Sequence, residues 1–410
     1  MTKLEQLIKE LCPIGSSIKT MTLGEIGKVS MCKRILKAQT TSEGDIPFYK
    51  IGTFGGKADS YISKETFEAY KSQYSYPKKG DILISAAGTI GRTVIFDGRP
   101  AYFQDSNIVW IDNDESKVLN KYLYYCYQLQ PWLVSTGGTI ARLYNDNIAN
   151  AKIKVPPLPV QQEIVRILDT FSELTAELTA ELTARKQQYE YYASNMFPSI
   201  KNADVEWVDL GAVATVTKLA GFEFTKYVEY SNSGKIIALR GLNVKNGHLV
   251  LDDVKYIDNS NLEMLTRSKL RVGDMLFTYV GTVGQVALIE ENEKYYLAPN
   301  VALVRIKDEH FLPEYMMYYF LTDKFKQEQI SKLLQASSMQ NIPMEKIRKF
   351  KLPLISIEEQ RRIIDILKRF DILCNDISEG LPAEIEGRRK QYEYYMDKLL
   401  SFTPSGVKGE

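Results

Sequence analysis

Glu181-Leu-Thr-Ala-Arg-Lys-Gln-Gln-Tyr-Glu-Tyr-Tyr192 returns near the end of the chain as Glu384-Ile-Glu-Gly-Arg-Arg-Lys-Gln-Tyr-Glu-Tyr-Tyr395, 203 residues further on (395 less 192). Chance rarely repeats so aromatic and polar a string, so self-similarity governs the reading of the whole chain. Working outward, Gln161-Gln-Glu-Ile-Val-Arg-Ile-Leu168 is matched by Gln360-Arg-Arg-Ile-Ile-Asp-Ile-Leu367, with Phe171 and Phe370 following, at a spacing of 199 (367 less 168). The second helical stretch therefore carries four extra residues. The globular parts repeat more faintly. Lys79-Gly-Asp-Ile-Leu-Ile, Gly88-Thr-Ile-Gly91 and Asn107 correspond to Val272-Gly-Asp-Met-Leu-Phe, Gly281-Thr-Val-Gly284 and Asn300 at a spacing of 193 (273 less 80). Ile46-Pro-Phe-Tyr-Lys50 sits where Ile236-Ile-Ala-Leu-Arg240 sits. The unit is one globular domain followed by one helix, and it occurs twice.

Local patterns set the elements. Asp81-Ile-Leu-Ile-Ser, Thr93-Val-Ile-Phe and Asn107-Ile-Val-Trp-Ile are short, β-branched and closed by Gly or Asp, which predicts strands with tight turns, while Lys117 to Leu129 reads as helix. Gly80-Asp81 and Gly273-Asp274 are turn residues before apolar strands. From Val160 to Phe197 apolar residues Ile164, Ile167, Leu168, Phe171, Leu174, Leu178 and Leu182 recur at helical spacing. Pro156-Pro157-Leu-Pro159 leads rigidly into that helix, and Lys351-Leu-Pro353 does so for a second running from about Glu358 to Phe402, which Gly380-Leu-Pro382 should kink. The expected fold class is α+β: two similar mixed α/β domains separated by two long antiparallel helices in a coiled coil, a pseudo-twofold internal repeat. The boundaries read as 1–155, a helical spacer 156–204, a second domain 205–350 and a second spacer 351–410.

Bulk composition excludes more than it asserts. With 44% hydrophobic and 25% charged residues, the 410-residue chain has no disordered character and suffices for two cores. Its 52 Lys plus Arg offset 51 Asp plus Glu, so a net charge of +1 provides no global field advertising a polyanionic partner. The opening Met1 to Leu11 mixes charges with its leucines and is no signal peptide, and no segment reaches ~18 uninterrupted apolar residues, so no membrane is expected. Four scattered cysteines (Cys12, Cys32, Cys126, Cys374) suit a reducing cytoplasm, and two histidines, His248 and His310, leave a zinc site unsupported. No metal and no cofactor are expected.

The tandem Thr175-Ala-Glu-Leu-Thr-Ala-Glu-Leu182, the run Ile164 to Asp169, the twin Gln-Tyr-Glu-Tyr-Tyr endings and Gly380-Leu-Pro-Ala-Glu-Ile-Glu386 together resemble the specificity subunits of type I restriction-modification systems, and in particular the class called type IC. The resemblance spans essentially the whole chain. It implies a cytoplasmic, non-catalytic subunit in which two target-recognition domains, about 15–155 and 205–350, each read one half of a split, asymmetric site in double-stranded DNA. The helices would fix the gap and dock two methyltransferase subunits, with restriction subunits joining the complex. On this reading the tetrapeptide repeat could measure: four helical residues advance ~6 Å and turn a net ~40°, close to the ~34–36° twist of one base pair. Glu173, Glu177 and Glu181, spaced i, i+4, face either solvent or a basic partner surface.

Base readout needs Arg, Lys, Asn or Gln on loops, with Ser and Thr holding phosphates. The repeat pairs Lys50 with Arg240, Thr89 with Thr282, Arg92 with Gln285 and Asn107 with Asn300, and sets Thr136-Gly-Gly-Thr-Ile-Ala-Arg142 against Ala336-Ser-Ser-Met-Gln-Asn341. Identical positions suit scaffold or phosphate; differing positions suit readout, which favours Arg92/Gln285 and Arg142/Asn341. Thr139, Asn243 and Gln340 complete the DNA-contact candidates. Tyr189, Tyr191, Tyr192, Tyr392, Tyr394 and Tyr395 cover more than one helical face and are candidates for partner-subunit contact. The competing class, a self-contained methyltransferase or nuclease, finds no motif. Gly52-Thr-Phe-Gly-Gly-Lys57 is mis-spaced for a phosphate loop, Pro156-Pro157 lies between Val155 and Leu158 rather than in an amino-methyltransferase tetrad, and Gly88-Thr-Ile-Gly91 is too short for a dinucleotide fingerprint.

Overall fold

The computed structural model describes residues 3–11, 18–134, 142–334, 341–376 and 378–402. The chain forms two compact units, one of residues 1–177 with 385–410, the other of residues 178–384.

The first unit carries β1 (Lys19–Thr22), β2 (Lys28–Ser30), β3 (Ile46–Tyr49), β4 (Tyr61–Ile62), β5 (Ile82–Ser85), β6 (Thr93–Ile95), β7 (Tyr102–Phe103), β8 (Ile108–Asp112) and β9 (Lys152–Val155). Strands β2-β8-β5-β6 form one sheet, β4-β3-β7 a second, and β1 pairs with β9 where the chain enters and leaves the domain. Alternation along the strands sends side chains to two cores. Ile82 and Ile84 of β5 and Val109 and Ile111 of β8 pack with Tyr122, Leu123 and Tyr125 of helix Asn120–Gln128. Leu83, Ile108 and Trp110, on the other face, meet Phe48, Tyr102 and Phe103 of the small sheet. Each fully buried apolar side chain contributes about 1.5–3 kcal/mol.

The second unit repeats this order with β10 (Glu206–Asp209), β11 (Ala214–Lys218), β12 (Ile237–Leu239), β13 (Val244–Lys245), β14 (His248–Leu249), β15 (Lys255–Tyr256), β16 (Met275–Thr278), β17 (Val286–Leu288), β18 (Tyr295–Leu297), β19 (Val301–Ile306) and β20 (Lys351–Leu354). Sheets β11-β19-β16-β17, β15-β12-β18 and β10-β20 copy those of the first unit, and the hairpin β13-β14 is an addition. Met275 and Phe277 face the helix-side core while Leu276 faces the small sheet, as Ile82, Ile84 and Leu83 do.

The first expected helix is a single element, Leu158–Met196, with Pro159 in its first turn. The second is not one kinked helix but two, Ile357–Asn375 and Leu381–Ser401. At the break Asp376 Oδ1 accepts from the Ser378 and Glu379 amides (2.6 and 3.1 Å), and a Cβ on Gly380 would lie 2.4 Å from the Ile372 carbonyl, so the chain turns where only glycine fits. In the first unit Phe171 stacks on Tyr395 (ring centroids 5.3 Å), and Leu400 joins the core of Ile164 and Leu168. In the second, Phe370 meets Tyr192 (5.7 Å) and Tyr189 (6.3 Å), and Ala193 and Phe197 join Ile363 and Leu367. Each unit is thus closed by a helix start and a helix end drawn from different repeats. Along the leucine stripe Ile164 and Leu168 are fully buried, Leu178 and Leu182 half-buried, and Leu174 exposed.

Candidate nucleic-acid interface

The β5–β6 and β16–β17 connections are built alike. Gly80 and Gly273 adopt φ of +95° and +85° at the preceding turn, where Asp81 and Asp274 accept from the Lys78 and Arg271 amides (2.8 Å each). Burial raises the Asp81 carboxyl above its usual range despite the Lys78 amide and ammonium, whereas Asp274 is clamped by both ends of the Arg305 guanidinium (2.6 and 2.7 Å). At the loop itself Ser85 Oγ donates to the Thr89 carbonyl and accepts from the Arg92 amide (2.9 Å). Thr278 Oγ1 does the same with the Thr282 carbonyl (2.5 Å) and the Gln285 amide (2.9 Å). One buried hydroxyl thus holds each loop, and Thr89 and Thr282 sit exposed at the tips.

Beside the segment that follows the third strand, each domain opens a cleft. In the first domain it measures about 470 Å³ and is lined by Arg34, Lys37, Lys50 and Arg142 with Gln104 and Asn107. Three of its cations are tethered: Lys50 to Asp59 (2.9 Å), Arg34 to Asp105 (2.9 Å) and Arg142 to the Ser106 carbonyl (2.8 Å). The hydrogen bond from Lys50 holds the Asp59 carboxyl below its usual range. In the second domain the cleft measures about 490 Å³, and beside Arg240, Thr282 and Asn300 its walls are Phe224, Tyr230, Leu242 and Val280. Arg240 is bound to Asp253 (2.9 Å) and to its carbonyl (2.8 Å), leaving Nε buried with no acceptor among the described residues.

Lys50, Asn107 and Arg142 therefore converge in one domain, and Arg240, Thr282 and Asn300 in the other. The remaining expected residues spread out. Arg92 is exposed but donates to the Phe54 carbonyl (2.9 Å), outside the first cleft. Gln285 is half-buried and accepts from the Asn246 amide (2.9 Å), and Asn341 is exposed beside the second cleft's wall, bridging Val280. Asn243 is corrected: it is fully buried, accepts from the Arg240 amide (3.0 Å) and donates to the Val250 and Asp253 carbonyls (2.8 Å each), as Thr53 accepts from the Lys50 amide (3.1 Å). Its amide is consumed by the turn and offers nothing to a ligand. Thr139 and Gln340 lie outside the described residues.

Among the six helix tyrosines, Tyr189 and Tyr392 pack against the cores, and burial pushes both hydroxyls up. Tyr395 stacks on Phe171, and Tyr192 packs tilted against Phe370. Tyr191 and Tyr394 remain 65% and 60% exposed at equivalent repeat positions. Sequence reading passed over Arg34, Lys37, Phe224, Tyr230 and Leu242, which lie outside the motifs that the repeat matches. It also passed over Gln161 and Gln360, although their identity stood in the matched string. Gln161 accepts from the Leu119 amide (2.9 Å) and donates to the Lys117 and Pro156 carbonyls (2.9 and 2.7 Å). Gln360 repeats this with the Leu312 amide (2.9 Å) and the His310 and Ile355 carbonyls (2.7 and 3.1 Å). Both are fully buried and latch a helix to its domain.

The model of the type I restriction modification DNA specificity domain matches twice, over residues 16–185 and 202–387. This chain belongs to the type I restriction-modification specificity subunits. The specificity subunit of an Escherichia coli type I restriction enzyme is 31% identical over 417 residues, covering 98% of this chain and 97% of the relative. A Haemophilus influenzae protein, described as a candidate subunit of the same kind, is 62% identical over 188 residues, 45% of this chain and 49% of its own length. Among solved structures, the Mycoplasma genitalium type I S subunit (M. genitalium) aligns over 96% of this chain and 98% of its own, with TM-score 0.54 at 14% identity. A chain from a study of type I restriction-modification complex assembly and conformational transition aligns over 93% and 97%, with TM-score 0.59 at 14% identity. These likenesses establish the fold. In this specificity subunit no helix among the described residues is long and apolar enough to cross a membrane, and no described His, Cys, Asp and Glu gather as a metal site.

Proposed function

We propose that the two domains of this specificity subunit each read one half of a bipartite site in double-stranded DNA, without catalysing a reaction, and that the helices dock two methyltransferase subunits, to which restriction subunits add. The observation that carries this is the pair of clefts at matching repeat positions, around Lys50 and Asn107 in one domain and Arg240 and Asn300 in the other, which present different side chains, as reading two different half-sites requires. Readout would fall to Lys50, Arg142 and the Arg92 side chain in the first domain, and to Gln285 and Asn341 beside the held Arg240 in the second, with Thr89 and Thr282 placed for phosphate. Tyr191 and Tyr394 suit the methyltransferase interface, since exposed aromatics at equivalent positions fit two equivalent partners. A net charge of +1 yields little counterion release, so tight binding needs the partner's surface.

Exchanging residues 205–350 for the matching domain of a relative, then mapping methylated sites with the methyltransferase present, should change one half-site and leave the other. Simultaneous change of both halves would refute separate reading.

A further inference from the structure

The two clefts occupy the same place in the repeat yet differ in kind. The first domain's cleft is walled by four cationic side chains, Arg34, Lys37, Lys50 and Arg142, interleaved with amides. The second retains one of these, Arg240, which is paired with Asp253 at 2.9 Å and 22% exposed, where Lys50, paired with Asp59 at the same distance, is 40% exposed. In place of the others stand carbon surfaces: Leu242 is 52% exposed, Tyr230 38%, and Phe224, on the short helix Gly221–Tyr227, is half-buried. Exposed apolar side chains gathered around one cleft mark a surface that takes a partner. DNA is the occupant argued here, because the repeat puts this cleft where the sister domain of a DNA specificity protein carries its cations.

The major groove offers two chemistries to such walls. Guanine presents O6 and N7 acceptors to Arg and Lys, and thymine presents a 5-methyl group to apolar side chains. We infer that the second domain selects its half-site largely through thymine methyl groups packed against Leu242 and its aromatic neighbours, whereas the first domain selects guanine edges through Lys50 and Arg142. Arg240 serves as a fixed wall post, because two hydrogen bonds to Asp253 hold its guanidinium and its Nε is buried, whereas Lys50 and Arg142 are each tethered by a single contact.

This rests on the reading of each domain as a half-site reader, and the experiment separates the two. The complex of full chain and methyltransferase subunits is titrated with duplexes carrying its mapped site, the second half being the one that changes when residues 205–350 are exchanged. Replacing thymines of the second half by deoxyuridine, which removes only the methyl, should weaken binding about fourfold per contacted methyl, the equivalent of one buried CH₂; the same replacement in the first half should change nothing. Replacing first-half guanines by 7-deazaguanine, which removes the N7 acceptor, should cost at least about tenfold. Leu242→Ala, at an exposed position that leaves folding intact, should erase the difference between thymine and deoxyuridine. Equal deoxyuridine losses in both halves, no loss in the second, or an undiminished difference in Leu242→Ala would each overturn the inference. A complex that prefers its mapped site no more than a scrambled duplex would instead overturn the half-site reading itself.

Discussion

Gln161 is fully buried, and its side chain makes three hydrogen bonds across the joint between domain and helix. Gln161→Leu keeps the volume and removes all three. The Lys117 carbonyl belongs to an exposed residue and can turn to water, but the Leu119 amide and the Pro156 carbonyl lie in the half-buried and buried joint. Each group left without a partner costs about 1–3 kcal/mol, so the variant should lose about 2–6 kcal/mol, all of it in the first unit. With two units a single melting temperature is a poor readout. Amide hydrogen exchange resolves them: protection at Leu119 and along residues 160–172 should fall by roughly one and a half to four decades, while the second unit is unchanged. Gln360→Leu should produce the mirror image at Leu312. Because the two latches share no partner, the double variant should be additive. A fall of less than about threefold at Leu119, or equal loss in both units, would refute the latch.

Inserting a further Thr-Ala-Glu-Leu after Leu182 keeps the leucine stripe and lands where Leu178 and Leu182 are only half-buried; a net turn of ~40° and ~6 Å of advance should lengthen the unread gap by one base pair with both half-sites unchanged, as genome-wide methylation mapping would report. Arg305→Met strands the Asp274 carboxylate, 1% exposed, and should destabilise the second unit by about 3 kcal/mol in denaturant titration, with most of the loss recovered when Asp274→Asn is added. His248 on the added hairpin pairs with Asp371 of helix Ile357–Asn375 (3.0 Å), and this hydrogen bond raises the imidazole pKa; burial of Asp371 is outweighed by the His248 and Asn375 hydrogen bonds, so that carboxyl is lowered. The imidazole's contribution is therefore complete below about pH 6.5 and lost as pH rises through the raised value, while the carboxylate's is present above about pH 4 and lost in acid. With His248 more than half exposed the effect is about 0.5 kcal/mol, a melting shift of 1–2 °C between pH 6 and 8.5 that His248→Gln should abolish.

How much of this was legible beforehand follows from how each feature is encoded. Strands such as Ile82–Ser85 and Ile108–Asp112, the helix Leu158–Met196 and the Gly-Asp turns are written in residues next to one another, and the duplication is written twice, so periodicity and self-matching found them. The Asn243 assignment failed because an amide reads identically whether it faces DNA or closes its own turn; only the Val250 and Asp253 carbonyls, ten residues or fewer away but brought together by the hairpin, decide between them. The clefts were invisible for a related reason: Arg34 meets Asp105 across 71 positions of chain, and no spacing rule reaches that far.

By itself the sequence determined that there are two copies of one domain, that each is followed by an apolar-striped helix, and which side chains differ at matching positions. Those follow from local sterics and from burial of a periodic stripe. Phe171 and Tyr192, 21 residues apart on one helix (192 less 171) and so ~31 Å distant, cannot partner each other. Only the tertiary structure decided that the partner of Phe171 is Tyr395, that Tyr192 goes to Phe370, and that the terminal helix therefore closes the unit in which the chain begins. The hydrophobic effect that drives such pairing is non-directional: an apolar stripe specifies that it must be covered, and the choice of cover falls to whichever surface the rest of the fold brings against it.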